Sequence, residues 1–509
     1  MRTKSFIDEL YLRNKNANTK YNYWHSYLKD NHDLEKNFKY SNISLWSVFI
    51  GMWAPLDIFA MSENTFSPDI ERKLITNRVL RIIRLLKEGN SNSKVKLSKK
   101  PRPHIAFIAF EQRQIECFIE SIKLLQEKDT QFTIITTIFP SKKWDPKLNI
   151  DYQRVACIEN FSPLYVYPKV FLNYLRIKKW LSNIKKFYSL DQDYGELKCI
   201  IWNIENRLLK ILIEIESASQ LLNIIKPTVI TGADISDPRS RAIFLVGKRE
   251  KIPNYHMTYG YFCYHCFEEM YLAADKKLVY SNNHKELIKK NFSIPNDRIE
   301  ELGCPRFDKL FKLRKNYNTK ISSINTICLG SQPCGNSQYR IFTRKFKRKV
   351  LANFISNILK NYETKKNTRI KILFKPHPDE TVEEVKEFER LANYAGIEYE
   401  IISNIDFANV VSEVDLFVTF YSALSLEFTI IGIPVCFLIS VENIPILNAM
   451  CKIGIAAEIS KPDDFYLFTK MLTTDYNSVN KSVNDFLRDE FTIVDGTSSV
   501  QLVRKLLNN

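Results

Sequence analysis

From residue 104 onward the chain alternates between two kinds of segment. Short apolar runs such as "HIAFIAF" (104–110), "QFTIITTIF" (131–139), "PTVITGAD" (227–234), "KILF" (371–374) and "DLFVTF" (415–420) are separated by longer stretches with a 3.6-residue apolar period. Continuous apolar runs suit strands buried on both faces, as in parallel sheets. Parallel neighbours need crossover connections, usually helical. The alternation therefore predicts an α/β chain with parallel, doubly wound sheets. At 509 residues the chain exceeds one ordinary core, so two domains and an extension are expected.

The boundaries follow changes of character. Residues 1–98 read as a helical N-terminal extension, its clearest segment being "DIERKLITNRVLRIIRLLKEGN". The polar, basic "SNSKVKLSKKPRP" (91–103) reads as a linker. Residues 99–317 form a first Rossmann-like domain in this reading, and 318–482 a second. Residues 483–509 end in a helix that starts near Thr497 or Ser498 and returns toward the first domain. No internal repeat is visible, and only 13 glycines argue against low-complexity disorder.

Composition narrows the function classes. The net charge of +17 points to an anionic partner such as a nucleotide or an anionic membrane surface. No DNA- or RNA-binding module signature is present, so nucleic acid is not expected. Ten scattered cysteines lack metal-ligand spacing, and Cys263 and Cys266 are the only close pair, so no zinc site is expected. The opening "MRTKSFIDELYLRNK" has no apolar core, which predicts no signal peptide and a cytoplasmic protein, or one at the inner face of the cytoplasmic membrane. "LWSVFIGMWAPLDIFAM" (45–61) is short and interrupted by Pro55 and Asp57, and reads as a packing surface. The basic segment 344–360 reads as a surface helix with a solvated face, with an anionic membrane as the second reading.

In doubly wound sheets ligands sit at the carboxyl ends of the strands. Three such loops lie in the second domain. In "FKPHPDE" (374–380), Lys375 and His377 follow a strand, and Pro376 and Pro378 stiffen the loop, which suits a phosphate or diphosphate. In "TFYSALSLEF" (419–428), Ser422 is expected to cap a helix whose N-terminus offers an anion site. Ser425 lies in its first turn, and Glu427 is placed to reach a ribose hydroxyl or to complement the helix dipole. In "LGSQPCGN" (329–336), Gly330, Ser331 and Gly335 would let a ligand approach the backbone.

The order "LGSQP … KPHP … TFYSALSLE … GIP … DGTSS" resembles the donor domain of GT-B-fold glycosyltransferases of bacterial surface and capsular polysaccharides. The sialyltransferase and polysialyltransferase group, with its HP and serine motifs, is the nearest likeness. Residues from about 100 to the end take part in it. The resemblance implies a metal-independent, inverting transferase without a cofactor. It implies a nucleotide-sugar donor, of CMP-sialic acid or CMP-Kdo type, and an oligosaccharide or lipid-linked glycan acceptor. Peripheral membrane association is the second reading of the basic segment 344–360. By the resemblance, Lys375, His377, Pro378, Gly330, Ser331, Ser422, Ser425 and Glu427 hold the donor nucleotide and its phosphates. Tyr259 and Gly260 shape the cleft, where similar proteins read "QHG" and this chain reads Thr258-Tyr259-Gly260. Teichoic-acid polymerases are similar too, but the aspartate and second serine of their "TDYSS" motif are Phe420 and Ala423 here. The paired acidic motifs of hydrolysing nucleotide-sugar epimerases are not found.

A base must deprotonate the acceptor. Asp234, after the strand in "TGADISDPRSRA", and Glu111, in "IAFEQRQ", are the two catalytic candidates. Capping a helix, or pairing with Arg239 or Arg241, is the structural alternative for Asp234. His256 reads as a core histidine. Two further readings stand beside the glycosyltransferase: a CDP-glycerol-type polyol-phosphate transferase, and a non-catalytic nucleotide-binding subunit of a polysaccharide assembly complex.

Overall fold

The computed structural model describes residues 23–49, 103–137, 154–162, 164–187, 194–234, 237–257, 272–292, 294–316, 323–334, 343–403, 405–442 and 444–508. The helix expected over 69–90, most of the linker, Tyr259, Gly260, Cys263, Cys266 and Gly335 lie outside these residues.

The chain divides into two compact units. One holds a seven-stranded sheet, all of whose neighbouring strands run parallel. Its strands are β1 (His104–Ile108), β2 (Gln131–Thr136), β3 (Val155–Cys157), β4 (Val229–Gly232), β5 (Asn254–Met257), β6 (Lys276–Val279) and β7 (Ile299–Glu301). Their spatial order is β3-β2-β1-β4-β5-β6-β7. Alternate residues of β1 feed two different cores. Ala106 and Ile108 face one, while Ile105 and Phe107 face the other. Both faces of the sheet are therefore covered, which is why β1 is apolar at nearly every position.

Helices of this unit include α1 (Gln112–Glu116), α2 (Tyr167–Phe187), α3 (Tyr194–Ile225) and α4 (Pro238–Arg249). The helix expected over "IECFIESIKLLQEK" is broken: after α1 a second helix runs Ile119–Glu127. Residues 23–49 belong to the same unit and contain helical turns and a small antiparallel hairpin. They are anchored by hydrogen bonds from Tyr40 Oη to Glu216 (2.6 Å), from Trp180 Nε1 to the His32 carbonyl (3.1 Å) and from Arg241 Nε to the Ser47 carbonyl (2.6 Å).

The other unit holds a six-stranded parallel sheet. Its strands are β8 (Thr326–Gly330), β9 (Lys371–Lys375), β10 (Glu398–Ile401), β11 (Leu416–Thr419), β12 (Val435–Phe437) and β13 (Ala456–Glu458). The order is β10-β9-β8-β11-β12-β13, so strand order reverses between β8 and β11. Its helices include α5 (Arg344–Ala352), α6 (Val382–Ala395) and α7 (Leu424–Ile431). Aromatic stacking ties helices to strands. Phe388 of α6 stacks on Phe374 of β9 at 3.8 Å between ring centroids, and Phe428 of α7 on Phe417 of β11 at 4.1 Å. Gly330 is required where it stands, because a Cβ there would lie 2.7 Å from Cζ of Phe417.

The units divide at Arg306/Phe307 and at Gly496/Thr497. The sequence-based boundary between 482 and 483 falls inside a helix, Tyr476–Glu490, which stays with the six-stranded sheet. The last helix, α8 (Ser498–Leu507), belongs with the seven-stranded sheet, where Leu502, Val503 and Leu506 join the core of Phe118, Ile122 and Leu125. Two edge strands, β3 and β13, were not anticipated. Each is only three residues long and has too few positions to show a period.

Truncating the stacked ring in Phe388→Ala removes a fully buried side chain and leaves a cavity beneath β9. Such changes cost about 3–5 kcal/mol. Denaturant unfolding followed by near-ultraviolet circular dichroism should show this loss in the transition of the unit that carries α6.

Candidate functional site

Strand order reverses between β8 and β11, and in open α/β sheets the carboxyl edge at such a reversal is where ligands bind. Register sets what surrounds it. Gly330 at the end of β8 pairs laterally with Lys375 at the end of β9 and with Thr419 at the end of β11. Neighbouring strands lie about 4.8 Å apart, so the three loops read from the sequence start side by side. Hydrogen bonds lock the junction. Ser331 N–H donates to the Lys375 carbonyl (3.0 Å), Thr419 Oγ1 to the Gly330 carbonyl (2.8 Å), and Gln332 Nε2 to the Tyr421 carbonyl (2.8 Å).

In the Lys375–Glu380 loop, Lys375 Nζ donates to the Pro376 carbonyl (2.8 Å). Burial lowers its pKa, outweighing the attraction of Cys328 and Glu380. Its ammonium is thus partly stripped of water and would gain more from an anion than an exposed lysine would. His377 Nδ1 accepts the Asp379 N–H (3.2 Å), which leaves the proton of the neutral ring on Nε2 as a donor. Pro378 is exposed.

At the start of α7 the expected cap is displaced by one residue. Ala423 occupies the N-cap position, and the Ser422 hydroxyl accepts the Leu424 N–H (3.3 Å) from outside the helix. Ser425 is completely buried, and its hydroxyl has no hydrogen-bond partner. A buried hydroxyl without a partner is costly because it has lost its water; the N–H groups of Leu424, Ser425 and Leu426 around it are taken up by the Ser422 hydroxyl and by the Ser422 and Ala423 carbonyls. Glu427 is 6% exposed. Phe420, at the position of the aspartate in the related motif, is fully buried in the core of this sheet.

The residue that holds the phosphate-type loop was not anticipated. Glu380, whose side chain is 0% exposed, accepts the His377 N–H (2.5 Å) and the Ser331 hydroxyl (2.7 Å), and pairs with Lys347 of α5. Lys347 also lies 3.4 Å from Glu384. Glu384 closes the expected capping box with Thr381 and accepts the Cys334 N–H (2.7 Å). Burial raises the Glu384 pKa. The Thr381 and Cys334 donors and Lys347 outweigh it and bring the group down to about 2. The segment 344–360 has the solvated face expected of it, with Arg344, Lys345, Arg348 and Lys349 exposed, but Lys347 is drawn to the buried side. Its α-turns continue as a π-helix over Asn353–Leu359, and Lys347, Leu351, Phe354 and Ile358 are all buried.

In the seven-stranded unit the order reverses between β1 and β4. Asp234, just past β4, is 8% exposed and accepts Gln114 Nε2 (2.8 Å) and the Asp237 N–H (3.3 Å). Gln114 Oε1 accepts the N–H groups of Phe110 (2.6 Å) and Glu111 (3.2 Å), so one glutamine ties both loops of that reversal together. The cap of α4 is Asp237, which pairs with Arg239, while Arg241 is engaged with Ser47. The helix-capping position weighed for Asp234 is thus filled by Asp237, whose own N–H Asp234 accepts. Glu111 is exposed, 3.5 Å from Arg113. His256 is buried beside Lys277, with Nδ1 3.4 Å from Nζ, and burial and that ammonium hold its pKa well below the usual histidine value. Among the described residues no cysteine is in a disulfide.

A family model described as CDP-Glycerol:Poly(glycerophosphate) glycerophosphotransferase matches residues 254–440. The stretch includes the β8, β9 and β11 loops and α7, and it excludes Asp234 and Glu111. A search of curated proteins gives no match. Solved structures similar to this chain include a UDP-GlcNAc 2-epimerase from Neisseria meningitidis bound to UDP-GlcNAc (14% identity, 80% of this chain, 100% of that chain, TM-score 0.47). MurG of Acinetobacter baumannii is similar at 13% identity, over 80% of this chain and 100% of that one, with a TM-score of 0.42. The lipopolysaccharide outer core galactosyltransferase WaaB is similar at 13% identity, over 79% and 99%, with a TM-score of 0.42. Likenesses this distant say nothing of activity.

Lys347→Met would leave Glu380 and Glu384 buried without their shared cation. Breaking a buried pair in this way costs about 3–5 kcal/mol. Urea unfolding should report that loss, and a change below about 1 kcal/mol would mean that the carboxylates are hydrated. The pH dependence has a definite sign. A carboxyl depressed from 4.5 to about 2 stabilises the fold fully above its unfolded value, and the contribution disappears as pH falls through that window. The stability gap between wild type and Glu384→Gln should therefore narrow steadily on acidification between these values.

Proposed function

We propose that this chain is a transferase that moves a polyol-phosphate group from a CDP-linked donor to a hydroxyl of a glycan or glycerol-phosphate polymer. The observation that supports the reading is the strand-order reversal between β8 and β11, within a stretch matching a glycerophosphotransferase family. In this proposal the donor diphosphate is held by residues of the loops at those strand ends: the partly desolvated Lys375, the His377 ring and the buried Ser425 hydroxyl. Ser422, Glu427, Gly330 and Ser331 complete the donor side of the proposal, with Pro378 stiffening the loop.

In the proposed step the acceptor oxygen attacks the phosphorus that bears the polyol. A new phosphate ester forms, the bridging P–O bond breaks, and its electron pair leaves on CMP. Lys375, His377 and Ser425 stabilise the charge that develops on the departing CMP. The acceptor proton passes to a base. Asp234 and Glu111 remain the proposed candidates read from the sequence; Gln114 hydrogen-bonds Asp234, whereas Glu111 is exposed beside Arg113. Tyr259 and Gly260 remain proposed cleft residues.

One observation favours transfer of a sugar from a CMP-linked donor instead. The aspartate of the polymerase motif is replaced by Phe420, which the fold uses for packing. The sugar reading would be an inverting transfer through the same donor loops.

Thermal unfolding with CMP, CDP-glycerol, CMP-sialic acid, UDP and GDP would separate these readings. Ligand at 100 times its Kd stabilises the folded state by about 2.7 kcal/mol. The expected result is a shift with CMP and CDP-glycerol that His377→Ala removes, and a phosphodiester product detected by phosphorus NMR. A shift with CMP-sialic acid and glycosidic product would establish the sugar reading. No cytidine-dependent shift would defeat both.

A further inference from the structure

Helix α2 has two apolar faces, and among the described residues only one is packed into a core. Val170, Ile177, Leu181 and Ile184 point into the core and are at most 2% exposed. On the other side Phe171 (52%), Leu172 (67%) and Leu175 (47%) stand in solvent at spacings of three and four, and Tyr165 (72%) precedes them in the turn that leads into the helix. Large apolar side chains clustered on one exposed face usually mark an interaction site, whereas scattered ones do not.

The charge on this helix selects the partner. Its sequence, YPKVFLNYLRIKKWLSNIKKF, contains Lys169, Arg176, Lys178, Lys179, Lys185 and Lys186 and no acidic residue. Lys169 and Lys185 are neutralised by Glu216 and Glu205. Among the described residues, no carboxylate forms an ion pair with Arg176, Lys178 or Lys179, all of which are exposed and flank the apolar stripe. Aromatic and aliphatic side chains bordered by cations form the pattern of a helix that lies in the interface of an anionic bilayer. A second copy of the chain docking through the same face would bring these cations against one another, and three apolar side chains supply far less area than a stable dimer needs.

We infer that α2 is a membrane-surface helix: Phe171, Leu172 and Leu175 enter the headgroup region of an anionic lipid layer, and Arg176, Lys178 and Lys179 contact its phosphates. This moves the membrane-facing surface away from the basic segment 344–360, whose apolar side is committed to the core. The inference concerns the seven-stranded unit alone and stands whatever group the chain transfers.

The test is co-sedimentation of the full chain with vesicles of phosphatidylglycerol and phosphatidylcholine, compared with phosphatidylcholine alone. The expected result is binding only to the anionic vesicles. Phe171→Ser/Leu172→Ser/Leu175→Ser should weaken it about tenfold or more, since three exposed apolar side chains lose their lipid contact. Lys178→Glu/Lys179→Glu should weaken it comparably, and Arg344→Glu/Lys345→Glu should leave it intact. Because every substituted side chain is exposed, melting temperatures should stay at the wild-type value. The inference is overturned if wild type ignores anionic vesicles, or if the serine variant binds as well as wild type. It is equally overturned if the 344/345 variant loses binding as much. Sedimentation velocity provides a further arm: a wild-type dimer that the serine variant dissolves would identify a second copy as the occupant, against the inference.

Discussion

Everything at the candidate site rests on one lateral alignment: Gly330 paired with Lys375 on one side and Thr419 on the other. In a parallel sheet the strands all end at the same edge, so side chains far apart in sequence emerge together once the register is set. Strand order then decides which ends are neighbours. With β8 between β9 and β11, the loops carrying His377, Ser331 and Ser422 leave the sheet from neighbouring strands. Gly330 packs closely on the Phe417 ring, and a Cβ at 330 would have to displace that buried ring.

Two of these loops are tied to a buried electrostatic frame. Lys347 reaches from α5 to Glu380 and Glu384, and Glu380 in turn grips the backbone of His377 and the hydroxyl of Ser331. A charged trio away from water is held only where all its donors and acceptors are satisfied, and such frames favour geometry over net stability. The proline-flanked loop therefore owes its shape as much to a glutamate three residues past the histidine as to its prolines. The seven-stranded unit uses a neutral version of the same device. There Gln114 spans the loops after β1 and β4 and orients Asp234.

Several of these features could be read in the residues. The strand ends at Gly330, Lys375 and Thr419 follow from apolar runs bounded by polar residues, and the Thr381–Glu384 capping box is a local pattern that forms as written. Lys347 carries a signal in the sequence. It shares a spacing of four, three and four with Leu351, Phe354 and Ile358, and a lysine on a core stripe requires a buried acid somewhere in the fold. The cap of α7 was misplaced by one residue because Ser422 and Ala423 are both compatible with the turn, and the choice depends on how β11 delivers the chain to the helix. The same ambiguity let Asp234 stand as a cap when Asp237 fills that position.

Local pattern by itself determined the alternation of strands and helices, the parallel class of both sheets, and the identity of the loops at their carboxyl ends. These are properties of short segments, in which apolar period and capping residues act within a few positions of one another. Tertiary structure alone decided which loops are neighbours, which acid answers Lys347, that Phe420 is a packing residue, and that α2 keeps a second apolar face in solvent. Each of those outcomes depends on contacts between residues tens to hundreds of positions apart. Their energies arise only when the sheets have formed, so no window of sequence contains them.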